Sequence, residues 1–291
     1  MRDDVGRCGE RHVDWSTGIT ARWRPEVQAR PLGIAAADRT PAMRHIPSFA
    51  ALMLMVCMGS ACSVQSTETP AAARAVEGAA IYGSVRRSAD GIGKTYQGRE
   101  ISAVMGWQGA AWLEREERER EERGSLLLQE LALQPGMDIA DVGAGTGYYA
   151  RRMAPLVAPG GTVYAVDVQP QMVAMLTQLA AQPGLDNLVP VQASATEPGL
   201  APESIDVALM VDVYHELEYP HEVLQSLVRA LRPGGRLVFV EYRAEDDDVP
   251  IKPLHKMSEA QIRTEAALHP LVWERTAGTL PWQHVVVFRK R

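Results

Sequence analysis

Short apolar runs alternate with helical stretches after Gly136, and this alternation constrains the fold more than any other feature of the chain. The apolar runs are 138–142, 162–166, 188–191, 205–211 and 236–240, and the main helical stretches between them are 148–156, 170–181 and 221–231. Strand–helix–strand repeats form parallel sheets with right-handed crossovers. Strands this continuously apolar are covered on both faces. The sequence therefore predicts an α/β fold with a doubly wound, mostly parallel sheet.

The alternation of strands and helices ends after the fifth predicted strand. A helical stretch over 258–268 precedes two strand-like runs, 272–276 and 284–288, with Pro281 between them. Strands that follow each other this closely pair antiparallel. We expect them to complete a seven-stranded, Rossmann-like sheet with an antiparallel edge strand, in a domain spanning residues 135–291.

The beginning of the chain predicts export. Residues 1–42 show no sustained period and are interpreted as an irregular extension, so that Met43 is the expected true start. Residues 43–62 combine a basic start, an apolar run and small side chains before Cys62, as in a bacterial signal peptide. The run is short for a membrane span, and a buried helix is the alternative. Residues 63–98 are interpreted as a linker.

Cys62 directly follows small residues and resembles the lipidation site of bacterial lipoproteins. We therefore expect an exported protein, either periplasmic or membrane-anchored through Cys62, with a cytoplasmic protein as the alternative. The net charge is −6, which gives no cationic field that would attract nucleic acid. Every cysteine lies at or before position 62, so zinc–thiolate clusters and cysteine nucleophiles are excluded beyond it.

A charged segment precedes the sheet. Residues 99–134 are predicted to be helical, and residues 114–123 consist entirely of Glu and Arg. Pairs at i,i+4 such as Glu114 with Arg118 would support a solvent-facing helix surface. The functional alternative is a lid over a ligand, with apolar contacts from three residues. These are Met105, Trp107 and Trp112.

A glycine-rich loop follows the first strand of the predicted sheet. Glycines stand at 143, 145 and 147, whereas the dinucleotide-binding fingerprint would require glycine at position 148, which is Tyr148. Glycines allow a sharp turn and a close approach of a ligand to the main chain. Asp141 lies two residues before the first glycine, where it is unfavourable for a pyrophosphate. The loop is better suited to a ligand that carries positive charge.

Acidic residues end three of the predicted strands. Asp167 follows the second strand, twenty residues after Gly147, where it can accept hydrogen bonds from both ribose hydroxyls of an adenosyl group. Asp141 and Asp212 lie on the same edge of the sheet, at which open α/β sheets bind their ligands. A loop-capping role is the alternative for each acid taken singly.

These residues resemble a class I S-adenosylmethionine-dependent methyltransferase over residues 137–243. The resemblance rests on DVGAGTG at 141–147, VD at 166–167, SIDVAL at 204–209 and LRPGGRL at 231–237. Residues 98–289 are also similar to a bacterial subgroup, often exported and of unassigned substrate. That similarity rests on VMG at 104–106, WLER at 112–115, VDVYHE at 211–216 and PLHKM at 253–257.

The resemblance implies S-adenosyl-L-methionine as the cofactor. The glycine loop would hold its amino acid part, Asp167 its ribose, and the segment around Ser194 would border the adenine, although many relatives have an acid there. The predicted cofactor-binding residues are Asp141, Gly143, Ala144, Gly145, Gly147, Asp167, Val168, Ser194, Ala195 and Asp212.

Methyl transfer from a sulfonium requires mainly alignment and exclusion of water, so a base is optional. The candidate catalytic residues after the fourth and fifth strands are His215, Tyr214 and Glu241, with Glu216 and Tyr242 beside them. His215 is the leading candidate, and a structural histidine at a helix start is the alternative. His215-Glu216 begins like a zinc-binding H-E-x-x-H motif, but Tyr219 holds the last position, so no metal ligand is predicted.

The predicted function is in-line methylation of a small molecule. One alternative is methylation of a protein or envelope component, which would fit export. The other is S-adenosyl binding without catalysis. His255 and Lys256 are either contacts for an anionic substrate or ordinary surface residues.

Overall fold

The computed structural model describes residues 81–291. The predicted extension at 1–42, the predicted signal at 43–62 and the first part of the predicted linker lie outside this range. Within the described part of the chain, no helix is long and apolar enough to cross a membrane.

The predicted linker at 63–98 is wrong from residue 82 onward. Two strands within it form a small antiparallel sheet with a third strand that follows it. Its strands are β1 (Tyr82–Ser84), β2 (Gly91–Tyr96) and β3 (Arg99–Ser102). Gln97 and Gly98 connect β2 to β3, and both have positive φ angles of 47° and 86°. Two such residues in succession form the tight turn that suits a hairpin. Tyr96 and Ile101 are fully buried, which anchors the hairpin.

The segment 99–134 is not one continuous helical region. It begins with β3 and continues as three short helices, α1 (Ala110–Leu113), α2 (Arg118–Glu122) and α3 (Gly124–Leu131). Arg123 separates α2 from α3 because its φ angle of 52° is incompatible with a right-handed helix.

The expectation of a solvent-facing charged surface is wrong for the centre of this segment. Arg118 and Glu122 are only 5% and 1% exposed and pair with each other. The outer acids bind the main domain, Glu114 to Arg151 and Glu119 to Arg152. The run therefore anchors the segment rather than only solvating it.

The main sheet has seven strands, as predicted. They are β4 (Ile139–Val142), β5 (Val163–Asp167), β6 (Leu188–Gln192), β7 (Ile205–Val211), β8 (Leu231–Tyr242), β9 (Leu271–Ala277) and β10 (Gln283–Lys290). Their order is β6-β5-β4-β7-β8-β10-β9. The first five pair in parallel, and β10 runs antiparallel between β8 and the outermost strand β9. The predicted doubly wound, mostly parallel sheet is confirmed.

Helices cover both faces of the sheet. They are α4 (Ala150–Val157), α5 (Pro170–Ala180), α6 (Pro220–Ala230) and α7 (Glu259–Ala266). The core on one face joins α3, α4 and α5 to the sheet through residues such as Leu127, Met153 and Leu176. The core on the other face joins α6 and α7 to it through Leu224, Phe239 and Ile262. These two cores fix the strand ends that carry the site.

Candidate functional site

The site lies where the strand order reverses. From β4 the chain proceeds outward through β5 and β6, and then returns to the other side of β4 as β7 and β8. The carboxyl ends of these strands form one edge of the sheet, which we call the rim. Ligands of open α/β sheets bind in the crevice at this reversal. Asp141, Asp167, Asp212 and Glu241 all stand at or next to the rim ends of their strands.

The glycine loop leaves β4 with three residues of positive φ: 73° at Gly143, 56° at Gly145 and 83° at Gly147. The first two amides of the loop, those of Gly143 and Ala144, donate hydrogen bonds to the carbonyl of Val166 at 2.8 and 3.0 Å. Glycine is the residue that adopts such angles without strain. The loop is thereby held against the end of β5.

Asp167 faces the glycine loop. Its Oδ2 accepts a hydrogen bond from the Gly145 amide at 2.9 Å and its Oδ1 accepts one from the Gln169 amide at 2.8 Å. The carboxylate is largely buried, and burial raises its pKa against the opposing effect of these amides. Each carboxylate oxygen has a second lone pair, so both can still accept ribose hydroxyls. Val168, which follows, is exposed.

Asp141 carries an unsatisfied oxygen. Its Oδ2 is buried and has no hydrogen-bond partner within residues 81–291. Burial raises the pKa of Asp141 to about 7, while the nearby Arg118 opposes that increase. A buried carboxylate without a partner costs free energy until a cation or donor arrives. The ammonium group of S-adenosylmethionine is such a partner, so the residues present fit this cofactor.

Asp212 has a strained backbone with a φ angle of 52°. Its Oδ2 accepts a hydrogen bond from Gln283 Nε2 at 3.0 Å, and burial raises its pKa well above the usual range. Strain of this kind is concentrated at functional sites. Gln283 comes from β10 and was not predicted, because no local motif marks it.

Ser194 and Ala195 lie exposed beyond the end of β6. The Ser194 hydroxyl accepts a hydrogen bond from the Glu197 amide at 2.9 Å, which closes a local turn. Their contact with an adenine ring remains a prediction.

Residues 105–114, which we call the covering segment, lie over the glycine loop. A side chain added at Gly145 would meet Leu113 Cδ1 at 2.7 Å. The Trp107 amide donates to Gln169 Oε1 at 2.8 Å, and Gln169 Nε2 donates to the Met105 carbonyl at 3.0 Å. Leu113 thus packs directly over Gly145 and seats the covering segment on the glycine loop.

Buried ion pairs anchor the chain that follows the covering segment. Glu122 accepts hydrogen bonds from Arg115 at 2.6 Å and Arg118 at 2.8 Å, and also from the Tyr242 hydroxyl at 3.1 Å. Arg118 Nη1 donates to the Leu113 carbonyl at 2.9 Å. Glu122 therefore ties the covering segment to the rim end of β8.

His215 and Glu241 form a buried pair on the other side of the rim. His215 Nδ1 lies 2.5 Å from Glu241 Oε2, and Glu241 Oε1 accepts the Tyr214 amide at 2.9 Å. Burial lowers the pKa of His215, but the carboxylates of Glu241, Glu216 and Asp212 outweigh burial and raise it. This pair has the geometry of an imidazole oriented by a carboxylate.

Tyr214 does not share this site. Its backbone forms the turn that begins at 214, and its ring points into the core, where it is fully buried 4.8 Å from the Phe239 ring in an edge-on contact. The structure therefore removes Tyr214 from the candidate catalytic residues. Its amide, not its hydroxyl, faces the rim.

Comparison with known proteins identifies the family that the domain around this site resembles. Residues 140–239 match the family described as "Methyltransferase domain". Residues 140–239 therefore carry a methyltransferase domain. This match supports the predicted S-adenosylmethionine-dependent methyltransferase and S-adenosyl-L-methionine as its cofactor.

Individual relatives show how far the match extends. The domain is 34% identical to a protein-L-isoaspartate O-methyltransferase of Aeropyrum pernix over 38% of this chain and 41% of that protein. It is 29% identical to the ubiquinone/menaquinone biosynthesis C-methyltransferase of Ectopseudomonas mendocina over 38% and 43%. The chain thus spans less than half the length of these two relatives. A solved SAM-dependent methyltransferase from Aquifex aeolicus shares the fold, with a TM-score of 0.61, 24% identity, and coverage of 65% of this chain and all of that one.

Proposed function

We propose that this protein transfers a methyl group from S-adenosylmethionine in-line to a small-molecule acceptor. The observation that carries the proposal is the buried, unpartnered Asp141 oxygen beside a glycine loop that is bonded to Asp167. A cationic amino acid group would bind at Asp141, and ribose hydroxyls would bind at Asp167. Bound in this way, the cofactor would direct its methyl group toward the part of the rim that carries His215 and Glu241, which we call the acceptor side.

The chain's own residues would align the reactants and exclude water. Positioning of this kind can lower a barrier by about 7–11 kcal/mol. The covering segment, seated on the glycine loop through Leu113, would shield the sulfonium from solvent. His215, held by Glu241, is the group placed to accept a proton from an oxygen or nitrogen acceptor.

The acceptor class follows from the enclosure of the site. The covering segment and the buried pair of His215 and Glu241 leave the reacting side of the rim little exposed, since His215 is only 2% exposed. A small acceptor fits an enclosed site better than a folded protein does. The name of the Ectopseudomonas mendocina relative indicates a small-molecule pathway, whereas that of the Aeropyrum pernix relative indicates a protein acceptor. Methylation of a protein or envelope component is therefore the second candidate.

Turnover with a labelled methyl donor tests the proposal. Purified protein is incubated with methyl-labelled S-adenosylmethionine and separate small-molecule and macromolecular fractions of a bacterial extract. We expect label in the small-molecule fraction. Label found only in macromolecules would transfer the assignment to the second candidate. Cofactor binding without turnover in either fraction would leave S-adenosyl binding as the function.

The cellular location is a separate proposal that rests on residues 43–62. Their basic, apolar and small-residue order supports export, with lipidation at Cys62. Fractionation of cells together with mass spectrometry of the mature N-terminus tests it. A lipid-modified Cys62 in the membrane fraction is expected, and an unprocessed chain in the cytosol would contradict it.

A further inference from the structure

Three side chains that commonly bind metal ions converge on the acceptor side of the rim. They are His215 and Glu216, which follow β7, and His255, which lies forty residues after His215 in the turn Pro253–His255. We propose that His215, Glu216 and His255 form a binding site for a divalent transition-metal ion, with His215 Nε2, His255 Nδ1 and Glu216 Oε1 as the ligand atoms.

The spacing of these atoms fits one shared ion. His255 Nδ1 lies 3.3 Å from His215 Nε2 and 3.5 Å from Glu216 Oε1, and the third separation, from His215 Nε2 to Glu216 Oε1, is 3.8 Å. Ligands of a tetrahedral ion with bonds of 2.0–2.1 Å stand about 3.4 Å apart. The point in their plane that is equidistant from the three atoms lies about 2 Å from each, the length of a zinc–imidazole bond. A tetrahedral ion would draw the Glu216 oxygen closer to the His215 nitrogen by about 0.4 Å.

Neighbouring groups orient two of the three ligands. Glu241 Oε2 lies 2.5 Å from His215 Nδ1, which places the proton of the ring on Nδ1 and turns the Nε2 lone pair toward the other two ligands. The Met105 amide donates to Glu216 Oε2 at 3.1 Å and leaves Oε1 facing the two imidazoles. A carboxylate behind a ligating histidine is the usual outer support of a metal site. A hydrogen bond between the two histidines would explain only the distance between their ring nitrogens. It would not explain the two short distances to Glu216 Oε1.

The ligand set selects the class of ion. Two imidazoles and one carboxylate suit zinc, iron(II), cobalt or nickel, whereas magnesium and calcium prefer oxygen ligands throughout. Three protein ligands leave at least one coordination position open, as in catalytic rather than structural sites. An oxygen of the acceptor bound there would become more acidic and more nucleophilic. With the ion on its Nε2, His215 would act as a ligand, and the ion would take over the activation of the acceptor that His215 performs as a base in the ion-free site. That last consequence depends on the proposed methyl transfer, but binding of the ion does not.

The sequence could not reveal this cluster. The H-E-x-x-H motif requires its second histidine on the same helix as the first. His221, the next histidine along the chain, lies outside the cluster, with its ring centroid 4.8 Å from that of His269. The third ligand comes from a separate segment, which only the fold brings into place. His221 therefore offers a matched control for the loss of one histidine.

Titration of the full chain with Co²⁺, after removal of bound metals with a chelator, tests the site. Visible absorption of bound Co²⁺ reports its nitrogen and oxygen ligands, and calorimetry with Zn²⁺ gives the affinity. We expect His255→Ala to weaken binding more than about 100-fold, beyond the 10–100-fold typical of outer partners such as Glu241. His221→Ala should bind like the wild type. His255→Gln, with an unchanged circular dichroism spectrum, confirms that a loss is not caused by unfolding.

Three results would overturn the proposal. One is wild-type protein that binds neither ion at micromolar concentration. The second is His255→Ala with wild-type affinity, and the third is a thiolate charge-transfer band that places the ion on the cysteines of residues 1–62. Calorimetry with S-adenosylmethionine on the same samples separates this inference from the proposed function. Metal binding without cofactor binding would leave the metal site standing and remove the methyltransferase activity.

Discussion

The two sides of the rim are built in different ways. One side, which we call the cofactor side, carries the glycine loop and Asp167. There the Gly145 amide donates a hydrogen bond to Asp167, 22 residues away within one strand–helix–strand unit. On the acceptor side, the His215 carbonyl accepts a hydrogen bond from Arg99, which is 116 residues away, and Glu216 is held by the Met105 amide, 111 residues away. The first side is a local motif. The second side exists only after distant segments have packed together.

This difference predicts where substitutions act. Changes on the cofactor side should alter affinity for S-adenosylmethionine while the fold persists. Substitutions in the buried ion pairs that hold the covering segment should lower the free energy of unfolding.

Gly145→Val should abolish detectable binding of S-adenosylmethionine, because its branched side chain would occupy the space next to the cofactor and Leu113. The positive φ angle adds a strain of about 1–2 kcal/mol. Gly184→Val is the matched control, since Gly184 has a φ angle of 84° with open space around it. Calorimetry should show binding by the control alone. Wild-type affinity in Gly145→Val would place the cofactor elsewhere.

Asp167→Ala should weaken cofactor binding by two charge-assisted hydrogen bonds, each worth about 1.5–3 kcal/mol. The dissociation constant should rise at least about 100-fold. Asp167→Asn keeps one acceptor oxygen, so its affinity should lie between that of the alanine variant and that of the wild type. An alanine variant that binds as tightly as the wild type would contradict the ribose contact.

Glu122→Gln should lower the free energy of unfolding by about 3–5 kcal/mol, because it leaves Arg118 buried without a carboxylate partner and leaves Arg115 with Glu121 alone. Glu274→Gln removes an exposed partner of Arg289 and should cost less than about 1 kcal/mol. Denaturant unfolding measures both. Equal small losses would show that the buried network does not hold the covering segment.

Affinity for the cofactor should rise with pH because of Asp141. Its pKa is raised to about 7, so the free protein is mostly protonated there at pH 6. The ammonium group of the ligand, with a pKa of about 8, favours the ionised carboxylate. Binding therefore releases a proton, and affinity should increase about sixfold between pH 6 and pH 7.5. Asp141→Asn should bind more weakly and show a smaller slope. An identical slope in the variant would assign the titration to another group.

The sequence allowed the local parts of this molecule to be predicted. Hydrophobic alternation predicts the seven-stranded sheet, and the spacing of glycines and acids predicts the loop and Asp167. These features depend on neighbours in the chain, so a single sequence contains the information. Gln97 and Gly98 form a recognisable turn, but the polar residues around it obscured the hairpin.

The remaining features depend on distant segments. Arg118 and Glu122 lie in a charged run that is typical of a solvent-facing helix, yet the rim end of β8 buries both. Tyr214 follows a strand at the rim, but the turn after β7 directs its ring into the core. His255 reaches His215 only through the path of the chain after β8. No local pattern encodes these three placements.

Hydrogen–deuterium exchange with and without S-adenosylmethionine tests where the cofactor binds, because it locates the ligand on the chain. We expect saturating cofactor to slow exchange in peptides covering 141–149 and 166–170, with Gly145→Val as the unresponsive control. Protection confined to other peptides, or no protection in folded protein, would contradict the assignment of the cofactor to the glycine loop and Asp167.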